Sequence, residues 1–390
     1  MIKACSPPIT GQPERQESGG ALTGRHDCDF VARSSSTPKR VGPQVPEVIA
    51  AYCIEPGRFE LRDVERPTAQ TGEVLVKVHS CGICGSDLHF FHGGFPPPAV
   101  CPGHEISGEV VEVGAAAGAL QPGDRVAVEP LVACRECWAC RTGDYQLCRR
   151  LRILGTFVDG GMAEYVGVPA YALFPLPASV DFEVGALTEP LAVAVHALRL
   201  ANVRLGDRVL VLGAGTIGLL SVAAAQAAGA AEVWITARHA HQSAAATALG
   251  ATGVFSGADA ADALATQAHR QPIDVVIETV GGAADTINDA VHLVRPGGCI
   301  AVLGVFTTMP ALNALSLIAK EVRLVGSLTY GRPGPRADFD VALALLAAQP
   351  ERFRPLITHR FPLAEITRGF AAAADKRSGS IKVAIHPAGD

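Results

Sequence analysis

The spacing of apolar positions changes twice along the chain. From about Val48 to Val168 they come in short runs broken by Gly and Pro, as in GEVLVKVHSCG, GEVVEVG and DRVAVEP. Such runs, ending in turn residues at short intervals, predict a compact β-rich domain. From about Leu205 longer segments alternate. DRVLVLGAG reads as a buried strand and TIGLLSVAAAQAAGA as a helix; AEVWIT, PIDVVIETVGG and GGCIAVLG read as strands, with AHQSAAATALGA a helix between them. Strands alternating with helices of this length predict a parallel sheet with right-handed crossovers. Beyond about residue 331 the pattern is mixed again, with a helix near DVALALLAAQ. Residues 1–46 show no period and are rich in Pro, Gly, Ser and Arg, so a disordered extension is expected there.

Composition narrows the class. A chain of 390 residues suggests two or three domains, and 48% hydrophobic residues can fill their cores. A net charge of −5 and a pI near 6.2 speak against a nucleic-acid surface. No uninterrupted apolar run reaches the roughly 18 residues of a membrane span, and the N-terminus has no signal-peptide core. A soluble cytoplasmic protein without nucleic-acid or membrane partners is the expectation.

Four of the eleven cysteines, Cys134, Cys137, Cys140 and Cys148, fall in the stretch CRECWACRTGDYQLC. Clustered cysteines without a secretory context point to metal before disulfides. The spacing suits a tetrahedral zinc held by four thiolates; an iron–sulfur cluster and unligated thiols are the alternatives. Four protein ligands leave no open position, so this site is expected to brace a loop and not to meet substrate.

A second set is dispersed. Cys84-Gly-Ser86-Asp87-Leu-His89, Gly103-His104-Glu105 and Thr188-Glu189-Pro190 together supply a thiolate, imidazoles and carboxylates. Three protein ligands and a water are the pattern of a catalytic zinc. Farther on, Gly213-Ala-Gly215-Thr216-Ile217-Gly218 is a GxGxxG motif that follows a predicted strand and opens a predicted helix. Its glycines serve a tight turn, close approach of the backbone to a pyrophosphate, and helix–strand packing. The end of the next strand, where an acidic residue would bind a ribose 2′-hydroxyl, is Ala237, followed by Arg238, His239 and His241. A missing carboxylate beside an arginine favours a 2′-phosphate, hence NADP(H) over NAD(H). Loops at Val280, Leu303 and Gly304 end later strands and are expected to flank the nicotinamide half.

The ordered motifs GICGSDLH, PGHEISGEVVEVG, GDRVAVEP, the cysteine lobe, GGMAEYV, TEPLAVAVHAL and GDRVLVLGAGTIGLL resemble the zinc-dependent medium-chain dehydrogenase/reductase family, closest to its polyol (sorbitol-type) branch. The resemblance covers about residues 48–390. It implies an α/β fold with a GroES-like β-rich catalytic domain at 47–188, a Rossmann doubly wound cofactor domain at 189–330, and a return to the catalytic domain at 331–390. It implies two zinc ions per chain. The catalytic zinc falls to Cys84, His104 and Glu105, with Glu189 on the metal or next to it through water; which glutamate ligates directly stays open. Ser86 takes the place of the hydroxyl that passes the alcohol proton outward, and His89 that of the outer relay base. The implied activity is hydride transfer between a secondary alcohol or polyol, or the matching ketone, and NADP(H), in a homotetramer or homodimer. The lack of an acid at Ala237 departs from the NAD-dependent polyol pattern, although the same reaction with NAD(H) stays open. Ser327 and Tyr330 are candidates near the cleft, and Phe90, Phe91, Phe95 and Phe157 are expected near the substrate pocket. Competing readings are a zinc-free quinone or enoyl reductase, which would lack the Cys84/His104/Glu105 set, and a zinc-stabilised binding protein, which would bind no NADP(H).

Overall fold

The computed structural model describes residues 47–388; the N-terminal stretch read as an extension, residues 1–46, lies outside them. The β-type runs form strands. Glu47–Glu55 and Arg58–Glu65 pair as an antiparallel hairpin. Glu73–Gly82 buries Val74, Leu75, Val76 and Val78 completely. Each such side chain contributes about 1.5–3 kcal/mol on burial, so this strand belongs at a sheet centre. Among the described residues that sheet has seven strands. Its order is Ile357–Pro362, Lys382–His386, Glu73–Gly82, Glu105–Val113, Arg125–Val128 and Leu173–Pro175, and Tyr165–Pro169 also pairs with Glu73–Gly82. The first two strands come from the C-terminal part of the chain, so the polypeptide closes its first sheet last.

The alternating segments form a second sheet of six parallel strands: Gly253–Ser256, Glu232–Ala237, Arg208–Leu212, Ile273–Glu278, Val294–Val302 and Arg323–Gly326. Helices Thr216–Ala227, Ala240–Ala248, Ala260–Arg270 and Thr286–Leu293 make crossovers between them. Strand order reverses between Arg208–Leu212 and Ile273–Glu278, and a crevice opens beyond their carboxyl ends. This is a doubly wound α/β fold.

One core cluster lies under the seven-stranded sheet and a larger one joins the parallel sheet to helix Thr188–Ala201 and to Tyr145, Tyr330 and Phe339. The stretch Phe182–Ala201 is apolar and long enough to cross a membrane, but 83% of its most apolar window is buried inside the fold, as in a core helix. Phe90 and Phe91 are also core: each is 8% exposed and packs against Phe370. They are therefore packing residues and not pocket wall. Phe95 and Phe157 do remain exposed.

Candidate active site

Strand register builds the dispersed site. Gly82 faces Glu105 in one antiparallel ladder and Ala384 in another. Two residues past Gly82, Cys84 therefore comes beside His104 from one strand and Lys382 from the other. The Ile83 N–H donates to the Val383 carbonyl at 2.9 Å, which closes the corner. Glu189 arrives separately, in the first turn of helix Thr188–Ala201, and is 6% exposed. Only the folded chain makes these four segments neighbours.

The charges at this corner are buried and interlocked. Asp87, in helix Gly85–Phe91, accepts a hydrogen bond from the Cys84 N–H at 3.0 Å, which satisfies a free donor at the helix start. Its other oxygen stands 3.6 Å from His104 Nδ1. Burial raises the Asp87 pKa, with His104 opposing. Burial works against charge on His104, but Asp87, Cys84 and Glu189 outweigh it and raise its pKa well above the usual imidazole value. Glu105 is 1% exposed; its Oε1 accepts from Lys382 Nζ at 2.6 Å, and the same ammonium donates to the Ile83 carbonyl at 2.9 Å. A Cβ on Gly82 would stand 2.0 Å from Glu105 Oε2, so only glycine leaves room for this carboxylate. Burial pushes Glu189 up to about 7, with Glu105 adding to the rise and His104 and Lys382 opposing it.

This donor set suits a cation. A thiol, an imidazole and two carboxylates converge, and His104 Nδ1 and Glu105 Oε2 are buried without a hydrogen-bond partner. An unpaired buried carboxylate oxygen costs about 1–3 kcal/mol, a deficit that a metal beside Glu105 would offset, while His104 Nδ1 is turned toward Asp87. The set is nevertheless open. Among the described residues, the four cysteines of the lobe are the one group of three or more His, Cys, Asp and Glu side chains whose ligand atoms all lie within 4.8 Å of one another.

In the lobe, Cys134 Sγ and Cys140 Sγ are 3.8 Å apart and Cys137 Sγ and Cys140 Sγ 3.6 Å. Thiolates about 2.3 Å from a tetrahedral zinc stand about 3.8 Å from each other, whereas a disulfide needs about 2 Å. The backbone N–H groups of Cys137 and Arg150 donate to Cys134 Sγ and Cys148 Sγ at 3.4 Å each, the stabilisation that thiolates require. The cage fits a metal.

The crevice of the parallel sheet is a cleft of about 830 Å³. Of the residues expected at a cofactor, Gly213, Gly215, Ala237, Arg238 and Val280 line it, together with His239. The three glycines divide the work. Gly213 has φ +97°, Gly215 has open space where a Cβ would be, and a Cβ on Gly218 would stand 1.9 Å from the Gly213 carbonyl. The open side of Gly215 is where a pyrophosphate would approach the backbone. Thr216 and Ile217 do not line the cleft, and the Thr216 hydroxyl donates to the Ile381 carbonyl at 2.9 Å. His241 does not line the cleft either; it stacks on His239, ring centroids 5.4 Å apart. Leu303 and Gly304 are half-buried and do not line the cleft; their N–H groups donate to the Glu278 carbonyl.

Ser86 is exposed in the first turn of helix Gly85–Phe91, and His89, one turn on, meets the Phe95 ring edge-on at 5.3 Å. Tyr330 is fully buried, and its hydroxyl faces Glu189; burial and that carboxylate raise its pKa well above the usual value. Ser327 is half-buried, and its N–H donates to the Val302 carbonyl at 2.9 Å.

Sequence reasoning missed Lys382, because a lysine in the strand KVAIH carries no signal until the ladder sets it against Glu105. It missed Lys376, which lines the cofactor cleft and whose pKa burial lowers to about 8. Glu278 is expected from sequence only as the start of the Glu278–Gly281 loop beside the nicotinamide half, and the structure adds what it does there. This fully buried carboxylate accepts from the N–H groups of Val280 and Gly281 and from the Thr286 hydroxyl, and so shapes the loop that carries Val280.

Comparison with known proteins agrees with this geometry. Residues 70–178 match the alcohol dehydrogenase GroES-like domain, and residues 216–348 match the zinc-binding dehydrogenase domain. Sorbitol dehydrogenase of Bos taurus is 35% identical over 352 residues, covering 87% of this chain and 96% of its own. A Sinorhizobium meliloti 1021 protein solved bound to NADP superposes with a TM-score of 0.79 at 34% identity, covering 88% of this chain and 100% of its own. The 2R,3R-butanediol dehydrogenase of Bacillus subtilis superposes with a TM-score of 0.77 at 30% identity, covering 87% of this chain and 99% of its own. A GroES-like part and a doubly wound parallel sheet, a four-cysteine lobe and relatives at this identity over nearly the whole described chain place it in the zinc-dependent medium-chain dehydrogenase/reductase family, among the alcohol and polyol dehydrogenases of its sorbitol-type branch.

Proposed function

We propose that this oxidoreductase interconverts a polyol or other secondary alcohol and its ketone, with NADP(H) preferred over NAD(H) and two zinc ions per chain. The observation that carries the cofactor preference is the end of strand Glu232–Ala237. Ala237 and Arg238 line the cleft where an acid would receive the ribose 2′-hydroxyl, and His239 and Lys376 add an imidazole and an amine to the same lining. The NADP-bound Sinorhizobium neighbour supports it. The sorbitol and butanediol dehydrogenases among the relatives support a polyol or diol as substrate. A second reading, NAD(H), draws on Asp262, a carboxylate that lines the same cleft from helix Ala260–Arg270.

In this reading Cys84, His104 and one or both of Glu105 and Glu189 hold the catalytic zinc, and the four lobe cysteines hold the structural one. When bound, zinc and the nicotinamide supply Lewis acidity and a hydride acceptor. Asp87 orients His104 and supports its basicity. Lys382 pairs with Glu105 and holds that carboxylate in place. Ser86 takes the alcohol proton and His89, half-exposed beside Phe95, releases it to solvent; imidazole suits that task because its ordinary pKa is about 6.5. Assembly as a homodimer or homotetramer is supported by the edge strand Arg323–Gly326, with Leu324 exposed, and by helix Ala314–Lys320, which presents Leu315 and Ile318 to solvent.

A kinetic panel tests this. Initial rates on sorbitol, xylitol, 2,3-butanediol and simple secondary alcohols are taken with NADP⁺ and NAD⁺, with and without a chelator. Chelator-sensitive oxidation that is faster with NADP⁺ is expected. Faster rates with NAD⁺ would overturn the cofactor assignment, and rates indifferent to chelator would overturn the zinc assignment.

A further inference from the structure

The four-cysteine lobe touches the loop that carries Tyr330. Helix Trp138–Thr142 of the lobe ends at Gly143, with φ +93°, and the Gly143 carbonyl accepts from the Arg332 N–H at 2.7 Å. The fit is tight from both sides. A Cβ on Gly143 would stand 2.0 Å from the Arg332 carbonyl, and one on Gly331 would stand 2.5 Å from Gln146 Oε1 and 3.0 Å from the Gly143 carbonyl. Two glycines in apposition permit two backbones to meet here.

The far side of the same loop is clamped to the helix that bears Glu189. Asp338 is fully buried; its Oδ2 accepts from the Gly331 N–H at 2.9 Å and lies 2.8 Å from His196 Nδ1. Its Oδ1 lies 2.8 Å from Arg199. His196 and Arg199 belong to helix Thr188–Ala201, whose first turn carries Glu189. Tyr330, with its ring edge-on to Phe339 at 5.6 Å, immediately precedes these two attachments in the chain. Tyr145 and Cys148 of the lobe share one apolar core with Tyr330, Phe339 and Leu187.

We infer that the cysteine lobe is a mould for the Ser327–Asp338 loop: by pressing Gly143 and Gln146 against Gly331 and Arg332, the metal-filled lobe fixes the seat of Tyr330 beside Glu189. The lobe thus acts on the reaction without touching substrate, and Gly143, Gly331 and Asp338 are positioning residues. The inference rests on the reading of Glu189 as part of the active site.

The test uses the full chain loaded with zinc. Gly331→Ala sets a methyl against Gln146 while leaving every cysteine and the cofactor cleft untouched. Backbone hydrogen exchange in 327–338 is expected to quicken about tenfold, with zinc content and NADPH affinity unchanged. Displacing Tyr330 from Glu189 is expected to lower kcat/KM for the alcohol about ten- to a hundredfold. Adding Gln146→Ala removes the group that the methyl meets and is expected to recover part of both losses. Normal exchange and kinetics in Gly331→Ala, or no recovery in the double variant, would overturn the inference. Cys148→Ser provides an independent arm that opens the cage. Exchange in 327–338 is expected to quicken there ahead of the parallel sheet, and unchanged exchange would count against the mould. Glu189→Gln, assayed alongside, tests the underlying reading by itself: full turnover would remove Glu189 from the chemistry, while exchange would still report on the lobe.

Discussion

In the lobe, all four donor atoms come from the fifteen residues Cys134 to Cys148, and they meet within 4.8 Å of one another. At the other centre Cys84, His104 and Glu189 come from separate elements, and Glu105 is held by Lys382 from the last strand of the described chain. The first cage is local, closed and made of one kind of ligand. The second is assembled by a sheet, mixes charges of both signs, and leaves polar atoms unpaired. A closed set of four thiolates stabilises a fold; an open, mixed set stores the electrostatic imbalance that chemistry draws on.

The contrast breaks most directly on the ligands. Cys84→Ser is expected to remove several kcal/mol of transition-state stabilisation, about a thousandfold in turnover, with NADPH binding and Tm nearly unchanged. Loss of one lobe ligand, in Cys140→Ser, is expected instead to lower Tm strongly, because metal binding there is folding free energy. Zinc analysis, fluorescence titration and calorimetry read both. Retained turnover in Cys84→Ser would erase the distinction between the two centres.

Lys382→Met sharpens it. An uncompensated buried Glu105 is expected to cost about 3 kcal/mol in the metal-free protein. Zinc should then recover more of the Tm in the variant than in the native chain, since a free Glu105 gains a cation. Equal recovery would mean that Glu105 never turns toward the metal.

A third expectation concerns the wall between the centres. Glu129, 2% exposed, accepts from the Tyr145 hydroxyl; burial raises its pKa from 4.5 to about 7, against the pull of Tyr145, Arg135 and Arg332, with Asp340 adding slightly. The folded state therefore binds this proton more tightly than the unfolded chain. Its stabilising contribution is complete below pH about 4.5 and lost as the pH rises through about 7. Glu129→Gln keeps the hydrogen bond and removes the titration, so its stability relative to the native chain should grow by about 2–3 kcal/mol between pH about 5 and about 8. A pH-independent difference in melting would show that Glu129 titrates alike in the folded and unfolded chain, so that burial does not shift it.

The smallest expected effect lies in the cofactor cleft, away from both centres. Ala237→Asp with Arg238→Leu restores a ribose acceptor and removes a phosphate partner, and should shift the NADP⁺/NAD⁺ preference by about 1–3 kcal/mol, roughly ten- to a hundredfold. An unchanged ratio would mean that Lys376 and His239 carry the recognition.

What the amino-acid order determined by itself is whatever depends on neighbours in sequence. The cysteine spacing specifies the cage, the run RVLVL followed by GAGTIG specifies a strand, a turn and a helix start, and Ala237 with Arg238 describes a strand end that lacks an acid. Each rests on a local period or a short loop. The tertiary structure alone decided the rest. It turned Phe90 and Phe91 into core, moved His241 behind His239, set Lys382 on Glu105, and pressed Gly143 against Arg332. Those outcomes depend on ladder register and on backbone approaches between segments far apart in the chain. One residue of slip in a ladder turns every side chain to the other face, and no short stretch of sequence carries that information.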